Sequence, residues 1–313
     1  MYKYVLRRLL VSIPVLLGIT IIISSIIYLD PASPARVALG PGADPSAVAE
    51  LERQMGLDQP PHLRYLEWLA GVIQGDLGNS LRSGEPVADM IADRIVPTLE
   101  LVIASMVITL IIAIPLGVVS AVKQHTWVDN TAMLFALFWL SMPSFWLALV
   151  LLLLFAVHWS IFPISGRAGA ALTLTWFAYI FLPAISNGAR RSALLMRMTR
   201  SAMLNVLHKD YIRTARGKGV GKKAIIYTHA MKNAMIPVLT LIGLQVPTLF
   251  SASVIIEIVF SWPGMGRLLV NATLSRDYPV VQGLVLVYSL IVLASNFVVD
   301  LLYTYFDPRI SYD

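Results

Sequence analysis

Residues 210–237 read DYIRTARGKGVGKKAIIYTHAMKNAMIP, a polar and basic stretch between two long apolar runs. The run before it, 172–189, contains 18 uncharged residues, and the run after it, 234–256, is also uncharged. A transmembrane helix needs about 20 predominantly apolar residues. The stretch is therefore predicted to be a loop that joins two membrane spans.

The loop itself has the pattern of two helices and a turn. Asp210 is suited to cap a short helix that runs from Tyr211 to about Lys218, since its carboxylate can accept from free backbone N–H groups. Glycines at 217, 219 and 221 predict a chain reversal with a positive φ. A second helix is predicted from Lys222 to Pro237, a residue that kinks or restarts a helix. Such a helix-turn-helix is a shape for docking on another protein.

The composition places the whole chain in the bilayer. Of 313 residues, 57% are hydrophobic and 13% are charged, whereas soluble domains have about 45–50% apolar and about 25% charged residues. The chain has no cysteine, which excludes disulfides, thiolate nucleophiles and cysteine metal sites.

The net charge of +6 is concentrated in one place. Between Arg190 and Lys232 there are eleven Lys or Arg residues and one acid, Asp210, so the rest of the chain is acidic overall. A basic loop between apolar runs is typical of a cytoplasmic loop. No basic face is interleaved with stacking aromatic residues, so we expect no nucleic-acid partner.

Six spans are predicted from the uncharged runs, and the lipid bilayer is thus a partner of the chain. Lys3, Arg7 and Arg8 precede the first span, which is longer than the apolar core of a cleaved signal peptide. An even number of spans returns both termini to the side of the basic loop. We therefore expect a multi-pass protein of the cell membrane with cytoplasmic termini. The predicted spans are 9–29, 101–122, 131–157, 172–189, 234–256 and 278–299.

The spans divide the chain into four regions. These are an N-terminal segment with the first span (1–29), a loop (30–97), a core domain (98–307) and a tail (308–313). The core domain contains the basic loop, taken as 196–236. The 30–97 loop has ten acids, five Arg and no Lys, which is compatible with the external face, and helical spacing of its apolar residues predicts short amphipathic helices. It is either a cap packed on the spans or a docking surface for an external protein.

Polar residues within the spans are candidates for a transport path. Pro143 lies in the third span between Ser141 and Ser144, where a proline frees a backbone carbonyl that needs a partner. The alternative is a structural kink. The fifth span carries further polar residues that either line a path or join helices, and Glu257 at its end is a default functional residue unless it pairs with Arg267. The remaining candidates are Gln245, Thr248 and Ser251.

The sequence contains no pattern for catalysis. Residues 219–223 read GVGKK, but the Walker pattern requires Ser or Thr where Lys223 stands and Gly where Arg216 stands. There is no H-E-x-x-H and no G-x-S-x-G. We predict a non-enzymatic chain with no catalytic residue, no metal and no cofactor of its own.

The basic loop resembles the EAA loop of the membrane subunits of ABC importers, in the form found in peptide importers. In that form an RTARAKG-like run precedes a HALRNALIPV-like run. Arg213-Thr214-Ala215 stands where the general pattern has an acid before two alanines, as in the peptide-importer subgroup. The matching residues here are 213–219 and 229–238.

Three further stretches are similar to peptide-importer permeases. They are Gly56-Leu57-Asp58-Gln59-Pro60 with Tyr65, Trp68, 75–78 and Ser80, then Glu257–Arg267, and finally Asp307-Pro308-Arg309. In the family, the 257–267 region forms an external turn and a partly re-entrant helix.

The resemblance implies an all-α membrane fold with six transmembrane helices, a type I ABC importer permease with a cytoplasmic coupling helix. It also implies a second homologous permease, two ATPase subunits that bind ATP and magnesium, and an external substrate-binding protein, with Trp68 and Asp76 as candidates for docking it. The cargo would be di- or oligopeptides. The coupling residues implied are Asp210, Arg213, Thr214, Ala215, Arg216, Lys218, Gly219 and Val220.

Two other classes fit a multi-span protein. A self-contained secondary carrier or channel often has an inverted repeat and a charged relay within the membrane, and neither is visible. A membrane-embedded enzyme needs a nucleophile with a base, or a metal set, within the spans, and the sequence contains neither.

Overall fold

The computed structural model describes residues 2–29, 34–40, 42–54 and 58–306. Within these residues the regular structure is helical. The β-type pairing in them is an isolated antiparallel bridge between Asn79 and Pro86. The Gly56-Leu57 pair and the 307–310 motif lie outside the described residues. The helices are α1 (Tyr2–Leu29), α2 (Pro34–Leu39), α3 (Pro45–Gln54), α4 (Pro61–Ile73), α5 (Val87–Val122), α6 (Trp127–Ser141), α7 (Ser144–Leu151), α8 (Leu174–Leu207), α9 (Asp210–Gly217), α10 (Lys222–Ala224), α11 (Met231–Val259), α12 (Met265–Leu274) and α13 (Tyr278–Phe306).

Two of these helices are continued by π-helical turns. Leu152–His158 extends α7, and Ile225–Ala230 joins α10 to α11. The second helix of the basic loop therefore begins at Lys222, as predicted, and runs without interruption to Val259. Pro237 lies inside this helix and does not restart it.

Three helical segments in the described residues are long and apolar enough to cross a membrane: Val87–Val122, Lys222–Val259 and Tyr278–Val299. A fourth candidate is the pair Trp127–Ser141 and Ser144–His158. A shorter apolar helix covers Leu10–Ser25. Hydropathy therefore supports three to four spans where the sequence predicts six, and α8, which carries four arginines at 190, 191, 197 and 200, is outside this set.

The third predicted span is broken rather than kinked. The helices on either side of Met142 and Pro143 are bent by 103° relative to each other. Both residues are extended, with ψ of 130° and 137°. Proline pushes the residue before it out of the helical region, so the break falls where the sequence places Pro143.

The described chain forms two compact units. The first comprises Met1–Pro97 and Pro263–Ala294. Its core contains Val87, Ile91, Met265 and Leu284. Ser80 and the backbone of Leu81 donate hydrogen bonds to the Asp277 carboxylate at 2.5 and 3.0 Å, which ties the 77–86 turn to the start of α13.

The second unit comprises Thr98–Trp262 and Ser295–Asp313. In this unit, helices α5 and α8 approach each other closely at Gly188. A Cβ atom added at Gly188 would lie 2.7 Å from the Thr109 hydroxyl and 2.8 Å from the Ser105 carbonyl. Small residues permit such contacts between membrane helices. One apolar cluster of this unit includes Leu195, Met203, Ile212, Ile225 and Ala234, so the basic loop is packed on the helices that flank it. The predicted division of the chain at 29/30, 97/98 and 307/308 stays a prediction.

Candidate functional site

Helix α9 has one buried and one exposed side. Ile212 is fully buried and Ala215 is half-buried. Arg213 and Arg216 are exposed, and so are Thr214, Lys218 and Gly219. The apolar side holds the helix on the rest of its unit, and the basic side is presented outward.

The predicted cap of this helix is wrong. The N-cap residue is Lys209, and it makes no side-chain capping bond. Asp210 is instead the first helical residue, where its negative charge is favourable at the positive end of the helix dipole. Its backbone carbonyl accepts from the Thr214 hydroxyl at 3.1 Å.

The turn after α9 depends on Gly219, whose φ is +77°. The Val220 N–H donates to the Ala215 carbonyl at 3.2 Å, and the Gly219 N–H donates to the Arg216 carbonyl at 3.0 Å. This pair of bonds is the Schellman arrangement, whose left-handed residue is usually glycine. Of the three glycines in the predicted turn, Gly219 is the one with a positive φ, so it fixes the direction in which the chain reverses.

A side-chain bond links the two helices of the loop. Asn233 donates to the Tyr211 hydroxyl at 2.9 Å and to the His229 carbonyl at 3.1 Å. No sequence pattern indicates this role of Tyr211. Beside the loop lies a cavity of about 500 Å³, lined by Ala121, Val122, Gln124, Leu204, Leu207, His208, Arg216, Val220, Lys222, Ile225 and Ile226.

An ion pair that sequence reasoning missed stabilises the base of the loop. Arg200 donates to both carboxylate oxygens of Asp129 at 2.7 Å. Asp129 is 2% exposed, and it also accepts from the Ser120 hydroxyl at 2.5 Å and the His125 N–H at 3.1 Å. The carboxylate therefore joins the end of α5, the start of α6 and the second half of α8.

A second ion pair orders the connector before α8. Arg167 donates to both oxygens of Glu100 at 2.8 and 2.7 Å, and the Trp176 indole donates to the same carboxylate at 3.1 Å. The hydrogen bonds to Glu100 raise the pKa of the Arg167 guanidinium above its ordinary value. The only charged residue of this connector is thus used to attach it to α5.

The three path candidates of the third span lie at the break between α6 and α7. Ser141 is exposed and donates to the Leu137 carbonyl at 2.9 Å. Pro143 is exposed, and its carbonyl accepts from the Leu147 N–H at 3.1 Å. Ser144 is half-buried at the first position of α7.

The candidates on α11 differ in exposure. Gln245 is buried, whereas Thr248 and Ser251 are exposed. Thr248 contacts Arg191 of α8: the Arg191 guanidinium donates to the Thr248 carbonyl, and its Nε donates to the Thr248 hydroxyl at 3.4 Å. The structure thus brings one predicted path residue together with an arginine that is not among the predicted path residues.

Glu257 is fully buried near the end of α11. It accepts from the Thr98 hydroxyl at 2.8 Å, a contact with α5 that no sequence pattern indicates. Its pairing with Arg267 stays a prediction.

The two external candidates have different surroundings. Trp68 is half-buried and lines a small cavity of about 120 Å³ together with Arg64, Tyr65 and Gln282. Asp76 is exposed, and its carboxylate accepts from the Gly78 N–H at 2.8 Å. Their role in docking stays a prediction.

No group of three or more His, Asp or Glu side chains is placed to hold a metal ion in the ranges that the structure describes. The described residues instead offer an exposed basic helix mounted on long apolar helices. This combination defines a multi-pass helical membrane protein with an exposed basic helix.

Comparison with known proteins gives the particular family. Residues 113–312 match the family described as binding-protein-dependent transport system inner membrane component, and residues 1–102 match the N-terminal region of such membrane components. The chain belongs to this family of ABC transporter permeases.

Relatives match the chain over its full length. The dipeptide transport system permease protein DppB of Alkalihalophilus pseudofirmus is 43% identical, with 100% of both chains covered. DppB of Escherichia coli K12 is 41% identical over 100% of this chain and 99% of its own. The glutathione transport system permease protein GsiC of Salmonella choleraesuis is 41% identical over 100% of both.

A solved structure shares the fold. The crystal structure of an amino acid ABC transporter with histidines superposes with a TM-score of 0.53 at 12% identity. The match covers 69% of this chain and 94% of that one.

Proposed function

We propose that this chain is a permease subunit of an ATP-driven importer of di- or oligopeptides. The observation that carries the proposal is the α9 loop: an exposed basic helix, closed by a left-handed glycine, that packs through Ile212 on the helices leading into the membrane. The full-length similarity to dipeptide and glutathione permeases supports peptides as the cargo.

The proposed topology has six spans: α1, α5, the α6–α7 pair, α8, α10–α11 and α13. This arrangement places α9 and both termini in the cytoplasm, in agreement with the positive charge of the loop. Arginines within α8 explain why hydropathy does not mark it as a span.

The complete importer contains, in this proposal, a second homologous permease, two ATPase subunits inside and a binding protein outside. ATP and magnesium are bound by the ATPases, and this chain hydrolyses nothing. Closure of the ATPase dimer moves α9, and α9 moves α8 and α11 because Ile212 and Tyr211 attach it to both sides of the loop. The path then opens outward, and hydrolysis resets it. ATP must therefore interact differently with the two states.

The test is reconstitution of the complete importer in proteoliposomes with its own binding protein. Uptake of labelled dipeptide that requires both ATP and the binding protein is the expected result. Uptake driven by an ion gradient without the ATPases would instead support a secondary carrier. A tag placed at Lys218 that reacts only from the outside would contradict the topology.

The external role of the 30–97 loop has its own test. A photo-crosslinker at exposed Asp76 is expected to capture the binding protein more efficiently than one at half-buried Trp68. Capture of lipid alone from both positions would remove the docking role.

A further inference from the structure

The α8–α11 contact contains an arginine at an unusual depth. Helix α10–α11 has its uncharged stretch from Asn233 to Ile256. At a rise of 1.5 Å per residue, Thr248 lies about 22 Å from the N-terminal end of this stretch and about 12 Å from its C-terminal end. Arg191 bonds to Thr248, so its charge lies level with the interior of the uncharged stretch of α11.

The described contacts of Arg191 leave its charge uncompensated. Its three acceptors are the Asn187 carbonyl at 2.9 Å, the Thr248 carbonyl and the Thr248 hydroxyl. All three are neutral. A guanidinium has five N–H donors, so donors remain for an anion. An arginine in a span is costly unless it faces protein or a water-filled path, and it marks a functional site.

The exposed side of α11 supports a path at this position. Leu244, Thr248, Ser251 and Ile255 are exposed and follow one another at helical spacing. Two of these four residues carry hydroxyl groups. Arg191 therefore lies at the edge of a stripe that is more polar than a lipid-facing surface requires.

Two buried amides next to this contact are unsatisfied. Asn187 precedes Arg191 by one turn, is fully buried, and has no partner for its Oδ1 in the described structure, although its Nδ2 donates to Ser105 at 3.2 Å. Gln245 precedes Thr248 by one turn, is 4% exposed, and neither Oε1 nor Nε2 has a partner among the described residues. Burying a polar group without a partner is destabilising, so such groups need an explanation.

We propose that Arg191, with Thr248 and the amides of Asn187 and Gln245, forms a binding point on the translocation path for the carboxylate end of the peptide. This assignment rests on the proposed function and adds the group of the cargo that is recognised. Arg191 binds the carboxylate through its remaining N–H donors, and the amides bind the polar backbone of the peptide when the helices separate.

The experiment measures uptake by the complete importer in proteoliposomes. The probes are alanyl-alanine and its C-terminal amide, which lacks the negative charge. Arg191→Gln is expected to lower alanyl-alanine uptake by about tenfold, a typical effect of losing one charge-assisted bond. The ratio of dipeptide to amide uptake should fall with it. The same binding protein is used with every variant. Its own preference for the dipeptide over the amide therefore affects the uptake ratio of all variants equally.

Two further variants separate recognition from folding. Arg191→Lys keeps the charge and should retain more uptake than Arg191→Gln. Gln245→Leu removes a buried unsatisfied group, so it should leave the thermal midpoint equal or higher and still reduce uptake. The matched control is Arg197→Gln, which removes an exposed charge about 9 Å further along α8 and should not change the ratio.

The assignment is overturned if Arg191→Gln transports like wild type, or if it lowers uptake of the dipeptide and the amide equally. Loss of binding-protein-stimulated ATP hydrolysis in Arg191→Gln would likewise overturn it, as it would indicate a structural role. If the wild-type importer hydrolyses ATP but takes up neither probe, the proposed function itself fails.

Discussion

Arg200 and Asp129 lie 71 residues apart in sequence and form a partly buried, two-bond ion pair at the base of the basic loop. The pair joins α6 to α8 a short distance before α9 begins. The helix that leads into α9 is therefore attached to its neighbours, as the proposed mechanism requires of a helix that is moved by α9.

Removal of one partner of this pair should destabilise the protein. Asp129→Ala leaves the partly exposed Arg200 without its acid, and the cost should lie between about 1 kcal/mol for an exposed pair and about 3–5 kcal/mol for a fully buried one. The measurement is the thermal midpoint of the purified complex in detergent. The control is Arg53→Gln, which breaks an exposed pair at 3.5 Å and should cost at most about 1 kcal/mol. Equal midpoints for the two variants would contradict the assigned role.

Substitution of Gly219 should reduce coupling. Gly219→Ala forces a Cβ into the left-handed region, which costs roughly 1–2 kcal/mol, and should lower uptake per ATP hydrolysed. Gly219→Pro should be more severe, because proline requires a negative φ. The control is Gly217→Ala, since Gly217 lacks a positive φ and has open space around its Cβ. If both alanine variants couple normally, the turn does not control transmission.

A negative charge introduced on α9 should separate ATP hydrolysis from transport. Ala215→Glu introduces an acid between Arg213 and Arg216 at a half-buried position, so it alters the basic surface without removing Ile212 from the core. We expect normal membrane insertion, with binding-protein-stimulated uptake greatly reduced. Ala215→Ser is the size control. Normal uptake by the glutamate variant in reconstituted vesicles would count against α9 as the contact with the ATPases.

Thr98 and Glu257 allow the carboxyl group of a buried residue to be tested separately from its hydrogen bond. Glu257→Gln keeps an oxygen acceptor for Thr98 but replaces the carboxyl group by an amide, and it should lower uptake at unchanged expression. Thr98→Val keeps the carboxyl group, removes the 2.8 Å bond, and should chiefly lower stability, by about 1–3 kcal/mol. Uptake that is the same in the glutamine variant and the wild type would exclude Glu257 from the path.

The position of α8 shows where sequence reasoning was limited. Hydropathy places the fourth span at 172–189, which ends immediately before Arg190 and Arg191. Their depth is set by what α8 packs against, and Arg191 bonds to the middle of α11. The break at Pro143 shows a similar limit: proline predicts where a helix is interrupted, but the 103° angle depends on packing on both sides.

The sequence by itself determined that the chain belongs in a membrane, that one basic loop presents a helix, and that a glycine reverses the chain after it. These properties arise from composition and from residues close together in the chain, so they can be read locally. Only the tertiary structure decided which arginine meets Asp129, which reaches Thr248, and which acceptor Thr98 uses. Such partners are selected by helix packing, because the depth and rotation of each helix depend on all its neighbours at once.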